Sequence, residues 1–295
     1  MPRLEKRRLQ QLRGSSYVLT LPKEWVEELG LGKGSSVLLL SDPGMFCVVP
    51  DDRGGGFSVE VELSEIGEDR VDEAVKLFYT LGAGSMRIKY PGASYKILPR
   101  VRRLRSELHG LMATMAGENE VQVTFSGELF TSLDEGVKSF LISLSTTARA
   151  AAEQVGTGDW ESVMSEVSEC LLQARAISRH VSWMITRPSR GLIMQAIPLA
   201  GALSARFIDL CVGFQEALRL GMTKEEFMTL SALASGLSEA VDRGAAAVEH
   251  VLGEIRMAVE KTPRDRYAAY QLLNTLALTA ETLRQLVLLR MVTVR

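Results

Sequence analysis

The spacing of apolar positions divides the chain into two regions. Up to about residue 125, apolar and polar side chains alternate in short runs bounded by glycine and proline, which is typical of strands and hairpins. From about residue 131 to the end the period is close to 3.6 residues, which predicts helices that each bury one face. The pattern therefore predicts a multidomain α+β protein that ends in an antiparallel helical bundle.

Residues 12–50 contain a compact series of short elements. The predicted elements are a strand over residues 17–21, a helix over residues 23–29 that starts after Pro22 and ends at Gly30, and strands over residues 37–40 and 46–49 joined by Asp42-Pro43-Gly44. So small a unit buries little apolar surface on its own, and we expect it to pair with a second copy.

This series is marked by characteristic residues: Gly14-Ser15-Ser16, Leu19-Thr20-Leu21-Pro22-Lys23, Trp25, Leu29-Gly30-Leu31 and Lys33-Gly34. Their order over about residues 8–50 resembles the AbrB/SpoVT swapped-hairpin family. In that family two chains interleave their hairpins into one β-barrel, and the N-terminal strands and turns meet DNA. The resemblance implies a homodimer that binds double-stranded DNA, although the same fold also occurs in antitoxins and in proteins that only dimerise.

The N-terminal segment is basic, whereas the whole chain has a net charge of -2. The candidate DNA-binding residues are Arg3, Lys6, Arg7, Arg8, Arg13, Ser15, Ser16 and Lys23. Clustered lysines and arginines of this kind suit phosphate contacts. The alternative is a solvated basic tail without a partner. Three carboxylates on the predicted helix, from Glu24, Glu27 and Glu28, should face away from DNA, or else DNA binding is weak.

A small α/β region is predicted after a linker at residues 51–56. Its strands are expected at residues 57–63, 86–90 and 121–125, and its helices at residues 70–80 and 98–115, which gives a βαβαβ order. The second of these helices carries the basic cluster Arg100, Arg102, Arg103 and Arg105. This cluster could extend a DNA face or bind an anion, or it could be an ordinary helix surface.

Five long helices are predicted in the C-terminal region, over residues 131–155, 158–186, 190–219, 223–261 and 264–292. Their expected boundary signals are Asp159 after a turn at residues 156–158, Gly221, a capping box of Thr223 with Glu226, and Pro263. Pro198 is expected to kink the third helix from within.

The bundle, joined to the hairpin unit, resembles the PhoU family of phosphate-uptake regulators in its archaeal arrangement. The stretches that carry the resemblance are residues 103–125, 199–214 and 276–290. The family has a Glu-x-x-x-Asp motif in each of two three-helix repeats, which implies a metal-binding role. Here the aligned pairs are Ala205 with Asp209 and Glu281 with Gln285, so each motif keeps one acid. Asp209 and Glu281 are thus the candidate ligand residues of a degenerate site. The alternative is that they pair with nearby Arg206 or Arg284 or face solvent.

Other side chains suggest no catalytic chemistry. The cysteines Cys47, Cys170 and Cys211 are expected to be small core residues, and the methionines Met112, Met115, Met194 and Met257 to fill the core. His109 is expected on a helix face, and His180 and His250 are expected at the surface or the edge of the core. No nucleophile elbow, phosphate loop or dinucleotide fingerprint is present in the sequence. We therefore expect a protein that is not an enzyme, has no cofactor, does not insert into a membrane and is cytoplasmic.

The sequence thus predicts three domains: residues 1–52 for DNA binding and dimerisation, residues 57–126 as a small α/β domain, and residues 131–295 as the bundle. The function expected from the two resemblances is a homodimeric transcription regulator of phosphate uptake that binds DNA and senses a signal. Two alternatives stay open. One is an adaptor that contacts a phosphate-transport ATPase or signalling protein without touching DNA, and the other is a bundle that binds metal through carboxylates.

Overall fold

A computed structural model describes residues 5–12, 14, 16–42, 45–51, 56–92, 94–158, 160–186 and 196–291. The chain forms two compact units, Met1–Arg53 and Gly54–Arg295. Residues 52–55 of the predicted linker lie outside the described residues.

The first unit consists of two short antiparallel strand pairs and one helix. Its elements are β1 (Gln10–Gln11), β2 (Tyr17–Val18), α1 (Lys23–Glu28), β3 (Val37–Asp42) and β4 (Met45–Pro50), with β1 paired to β2 and β3 paired to β4. The strand predicted over residues 17–21 is shorter than expected, because β1 offers only two residues to pair with. Gly30 follows the C-cap residue Leu29 of α1 and adopts a φ of 67°, as the prediction requires. Pro43 and Gly44 lie outside the described residues.

The second unit begins with a four-stranded sheet of order β5-β6-β8-β7. Its elements are β5 (Ser58–Glu62), α2 (Leu63–Ile66), α3 (Val71–Thr80), β6 (Ser85–Lys89), α4 (Leu98–Arg103), β7 (Leu111–Gly117) and β8 (Glu120–Phe125). β5 and β6 run parallel, and the other neighbouring pairs run antiparallel. Apolar side chains from α3, α4 and the sheet form one core, which includes Val75, Ile88 and Val101, each fully buried.

The predicted helix over residues 98–115 is wrong, and with it the βαβαβ order. The helix ends at Arg103, and residues 111–117 form strand β7 instead. Gly110 separates the two elements with a φ of +70°, and a Cβ on it would lie 1.6 Å from the carbonyl oxygen of Ser126. Beyond it, buried Leu111 and Ala113 alternate with exposed Met112, which is the period of a strand.

Six helices form the described part of the bundle. They are α5 (Leu133–Gln154), α6 (Glu161–Thr186), α7 (Ile197–Leu220), α8 (Lys224–Arg243), α9 (Ala245–Lys261) and α10 (Tyr267–Met291). In space α5 packs on α6 and α8, α7 packs on α6 and α10, and α9 packs on α8 and α10. The helices therefore form two three-helix sets, α5–α7 and α8–α10, joined through α5 with α8 and α7 with α10.

A reciprocal pair of hydrogen bonds joins the first helices of the two sets. The Ser145 hydroxyl donates to the carbonyl oxygen of Ser231 over 2.9 Å, and the Ser231 hydroxyl donates to that of Ser145 over 2.9 Å. Because each residue plays the same part toward the other, the contact has local two-fold character. In the core of the bundle, the rings of Phe140 and Phe207 stack with 4.2 Å between their centroids.

The structure corrects the predicted helix boundaries in two places. The helix expected over residues 223–261 is divided at Gly244, whose φ of 92° ends α8 and precedes α9. Pro198 lies in the first turn of α7, where its missing N–H has no partner to lose, and so it does not kink the helix. Asp159 and residues 190–195 lie outside the described residues. The predictions for Gly221, which has a φ of 75°, and for Pro263 between α9 and α10 are confirmed.

One described helix, Ile197–Leu220, is long and apolar enough to cross a membrane when judged by length and composition alone. Leu203, Phe207 and Leu210 of this helix are buried against the rest of the bundle. A core helix of this kind passes the same test, so the feature is weak evidence for a membrane span.

The predicted capping box at the start of α8 is confirmed and extends to an ion pair. Glu226 accepts a hydrogen bond from the Thr223 N–H over 2.7 Å and another from Arg266 Nε over 2.7 Å. The hydrogen bond from Arg266 is the main reason that the pKa of Glu226 lies below its ordinary value. A lowered carboxyl pKa means that this pair stabilises the fold above the pKa of the unfolded chain and is lost as the pH falls through the folded value.

We expect Glu226→Gln to lower the free energy of unfolding by about 1 kcal/mol at pH 7. Glutamine keeps the capping geometry but loses the charge that holds Arg266. Urea unfolding of both proteins between pH 7 and pH 3 should show the difference shrinking in the acid range. A difference that stays constant over that range would contradict this role of the ion pair.

Candidate nucleic-acid interface

The segment ahead of α1 folds back on itself once. Gln11 pairs with Tyr17, and the Leu12 N–H donates to the carbonyl oxygen of Ser16 over 3.0 Å. Gly14 sits in the turn with a φ of +120°, a conformation that L side chains rarely adopt. The turn leaves residues 5–9 exposed to solvent ahead of β1. We call the segment from residue 1 to residue 13 the basic arm.

The described basic side chains of this region are available to an anion. Lys6 and Arg8 are exposed. Arg7 makes a half-exposed ion pair with Glu5 over 2.7 Å, and Lys23 is 82% exposed with the nearest carboxylate, that of Glu27, 3.4 Å away. Such exposed pairs contribute about 0–1 kcal/mol, so a phosphate can compete for these cations.

The remaining candidate residues divide between the exposed surface and the undescribed part of the chain. Ser16 is exposed at the end of the turn. Arg3, Arg13 and Ser15 lie outside the described residues. Their part in DNA binding stays a prediction from the sequence.

The helix α1 has a face that repels phosphate. Glu24 and Glu27 are exposed and share this face with Glu28, while Trp25 and Val26 are half-buried on the other side. Three carboxylates on one face exclude an anionic partner there. A DNA contact made by this unit is therefore expected from the basic arm and Lys23 and not from the carboxylate face of α1.

One face of the β3–β4 hairpin is apolar and bare. Leu39 pairs with Val48, and Leu39 and Phe46 are 76% and 86% exposed. On the other face Cys47 and Val49 are half-buried. Among the residues of the first unit whose burial the structure describes, only Pro22 is buried. Exposed apolar surface of this density marks an interaction site, and a second copy of the chain offers an identical face.

The candidate ligand residues of the bundle do not assemble a metal site in the described structure. Asp209 is exposed on α7. Glu281 on α10 binds Arg284 over 2.7 Å and Arg256 of α9 over 3.2 Å, and the hydrogen bond from Arg284 chiefly lowers its pKa. No group of three or more histidine, cysteine or acidic side chains that could hold a metal occurs among the described residues. Glu281 therefore takes the arginine-paired alternative that the sequence left open.

The cysteines differ in their surroundings. Cys170 and Cys211 are buried, as predicted, and burial raises the pKa of Cys170 to about 11 and raises that of Cys211 as well. Cys47 is only half-buried on β4. All three carry free thiols.

The methionine prediction fails for three positions. Met112, Met115 and Met257 are each exposed by about half of their side-chain surface, with values of 53%, 53% and 52%, instead of filling the core. The first two lie on strand β7, so the error follows from assigning a helix there. Met194 lies outside the described residues.

The histidines lie at the surface or the edge of the core. His250 is 79% exposed, and burial lowers the pKa of the half-buried His180. His109 is not on a helix face as expected, because α4 ends before it and it occupies the turn ahead of Gly110.

Sequence reasoning missed a buried arginine that joins the bundle to the sheet. Arg179 of α6 is 4% exposed and donates to the carbonyl oxygens of Tyr79 and Ala83 over 3.1 Å and 2.7 Å. Its guanidinium lies 4.3 Å from the ring centroid of Trp183, which itself donates to the carbonyl oxygen of Gly82. The spacing of four along α6 was the available signal, since it places both side chains on one helical face. The cleft beside Arg179 has room for about 10 Å³, no more than one water molecule.

Comparisons with known proteins identify the N-terminal region only. The family described as "Antidote-toxin recognition MazE, bacterial antitoxin" matches residues 10–55. The chain is also 31% identical over 131 residues to cytoplasmic dynein 2 heavy chain 1 of Chlamydomonas reinhardtii, a match that covers 44% of this chain and 3% of that protein. No solved structure matches.

The family match spans β1, β2, α1 and the hairpin with its bare apolar face, and it begins just after Lys6, Arg7 and Arg8. The dynein match covers too little of that protein to carry its activity to this chain. Residues 10–55 are therefore a MazE/AbrB-type, antitoxin-like domain, of a kind that is typically dimeric and binds DNA or a toxin.

Proposed function

We propose that this protein is a homodimeric, DNA-binding transcription regulator of the cytoplasm whose bundle senses phosphate supply. The observation that carries the proposal is the antitoxin-like domain at residues 10–55, which directly follows the exposed basic residues Lys6, Arg7 and Arg8. Phosphate contacts from such an arm supply affinity and orientation on duplex DNA.

Dimerisation is supported by the bare face of the hairpin. Leu39 and Phe46 are largely exposed in the single chain, and the same face of a second copy would cover them. A two-fold pair of hairpins also brings two basic arms into one particle. Two arms on one duplex bind far more tightly than one, because the second contact becomes intramolecular.

The sensing role rests on the resemblance of the bundle to the PhoU family and on its division into two three-helix sets. The reciprocal contact of Ser145 with Ser231 supports a repeat of this kind. A signal transmitted by a phosphate-transport ATPase or a signalling protein is the mode that we propose. A metal-based signal has less support, because Glu281 is engaged by two arginines.

Fluorescence anisotropy with duplex DNA from the gene's own upstream region, over a salt series from low salt to 200 mM, tests the DNA-binding function. We expect binding that weakens with salt, and an Arg7→Ala/Arg8→Ala/Arg13→Ala variant in which it largely disappears. Each lost phosphate contact should reduce the slope of log K against log salt by about 0.9.

A variant with the same loss of charge elsewhere is the control. Arg149→Ala/Arg219→Ala/Arg264→Ala removes three exposed arginines of the second unit and should bind as the wild type does. If the wild type does not bind at low salt, the hairpin is a dimerisation device and the protein acts as an adaptor through protein contacts.

A further inference from the structure

The stretch of residues 94–106 is densely basic and contains no acidic residue. Its basic residues are Lys96, Arg100, Arg102, Arg103 and Arg105. Lys96 lies in a short 3-10 turn at residues 94–96. Arg100, Arg102 and Arg103 lie in helix α4, and Arg105 lies in a second 3-10 turn at residues 104–106. Since the whole chain has a net charge of -2, this is a strong local excess of positive charge outside the basic arm.

Two of these arginines hold the fold together. Arg100 binds the carboxylate of Asp72 over 2.8 Å and donates to the carbonyl oxygen of Glu68 over 2.9 Å. Arg102 donates to the carbonyl oxygen of Ala113 on the edge strand β7 over 3.2 Å. These bonds anchor α4 to α3 and to the sheet, so the side chains beside them are presented from a fixed support.

The other three basic residues make no bond that anchors α4 to the rest of the fold. Lys96, Arg103 and Arg105 are exposed, and within the described part of the chain their side chains make no ion pair or hydrogen bond. Glu107, the next carboxylate along the chain, is bound by Lys76 and Arg175. Nothing in this stretch therefore neutralises the three charges.

We propose that Lys96, Arg103 and Arg105 form a second phosphate-binding surface that holds the backbone of duplex DNA. The guanidinium fork of arginine matches phosphate oxygens in two parallel hydrogen bonds. An acidic protein partner fits less well, because a protein interface needs an apolar centre. The exposed apolar side chains here come from Tyr95 and Pro99 only.

Backbone contacts carry no sequence information, so this surface adds affinity and not selectivity. The inference rests on the proposed function in that the protein meets DNA, but it does not require the basic arm to make the contact. We call Lys96, Arg103 and Arg105 the α4 surface.

The test uses the full-length protein, the upstream duplex and a scrambled duplex of the same composition. In Arg103→Ala/Arg105→Ala we expect affinity for both duplexes to fall by the same factor. The slope of log K against log salt should decrease by about 2 for each chain bound. The melting temperature should not change, because neither side chain supports the fold. Arg149→Ala/Arg264→Ala, with the same loss of charge on exposed bundle positions, should behave as the wild type.

If the slope of log K against log salt for Arg103→Ala/Arg105→Ala equals that of the control Arg149→Ala/Arg264→Ala, the inference is overturned. Polyglutamate serves as a probe for an acidic protein partner. If Arg103→Ala/Arg105→Ala loses binding to polyglutamate but binds both duplexes as the wild type does, the inference is also overturned, and the α4 surface is assigned to an acidic protein. The basic-arm variant separates this inference from the proposed function. If the arm variant loses binding and the α4 variant does not, the proposed function stands and the inference falls. If the α4 variant loses binding and the arm variant does not, the inference stands, and only the assignment of the DNA contact to the basic arm falls.

Discussion

A Leu39→Asp/Phe46→Asp variant is expected to be monomeric at concentrations where the wild type is a dimer. Both side chains are bare in the isolated chain, with 76% and 86% of their surface exposed. Covering a side chain of this size contributes about 1.5–3 kcal/mol, and a dimer covers four. Replacing them with charged groups should raise the dissociation constant of the dimer by more than about 10⁴-fold. Light scattering on a size-exclusion column measures the effect directly.

The matched control places the same charges on exposed apolar positions of the second unit. Leu77→Asp/Met257→Asp changes side chains that are 54% and 52% exposed on α3 and α9, and it should leave the dimer intact. The hairpin variant should also bind DNA weakly, because each basic arm then acts alone. A hairpin variant that remains dimeric would show that the two chains associate through some other surface.

Gly110→Ala is expected to destabilise the second unit by at least about 3 kcal/mol. The added Cβ would lie 1.6 Å from the carbonyl oxygen of Ser126, and that oxygen cannot move away easily because its residue is itself bound to Gly110 through the Ser126 N–H. The φ of +70° adds strain for any L side chain. Urea unfolding followed by circular dichroism measures the loss.

Gly221→Ala separates the clash from the backbone strain. Gly221 has a similar φ of +75°, but a Cβ there meets no atom within 4 Å. Its substitution should cost about 1 kcal/mol, the cost of the left-handed conformation alone. Equal losses in the two variants would mean that the close approach of Gly110 to Ser126 does not exist in solution.

Gly110 also shows why part of the fold could not be predicted from the sequence. The apolar residues on both sides of it keep a helical spacing, with Leu104, Leu108 and Leu111 all buried, so the periodicity alone favours one long helix. Only the contact with Ser126, on the neighbouring part of the sheet, requires the chain to turn there. Gly244 misled the prediction in the same way, because a glycine within a helical pattern is often tolerated.

The local signals succeeded where the chain determines its own conformation. The helix end at Gly30, the C-cap at Gly221 and the capping box at Thr223 depend on residues within one turn. The hairpin strands and the sheet strands over residues 58–62 and 120–125 also lie close to their predicted positions.

The candidate site was only partly within reach of the sequence. The basic arm is a property of composition and could be found directly. Two of the basic-cluster arginines bind Asp72 and Ala113, and the other two make no ion pair or hydrogen bond with the residues that the structure describes. This division is a property of the folded sheet. Likewise, the burial of Arg179 depends on carbonyl groups that lie about 100 positions earlier in the chain.

Sedimentation equilibrium of the full-length protein mixed with its upstream duplex at low salt tests the central claim most directly. Our account predicts a complex with the mass of two chains and one duplex. The Arg7→Ala/Arg8→Ala/Arg13→Ala variant should remain a dimer and leave most of the duplex free. A wild-type protein that sediments as a dimer apart from the duplex, or as a monomer, would contradict the account.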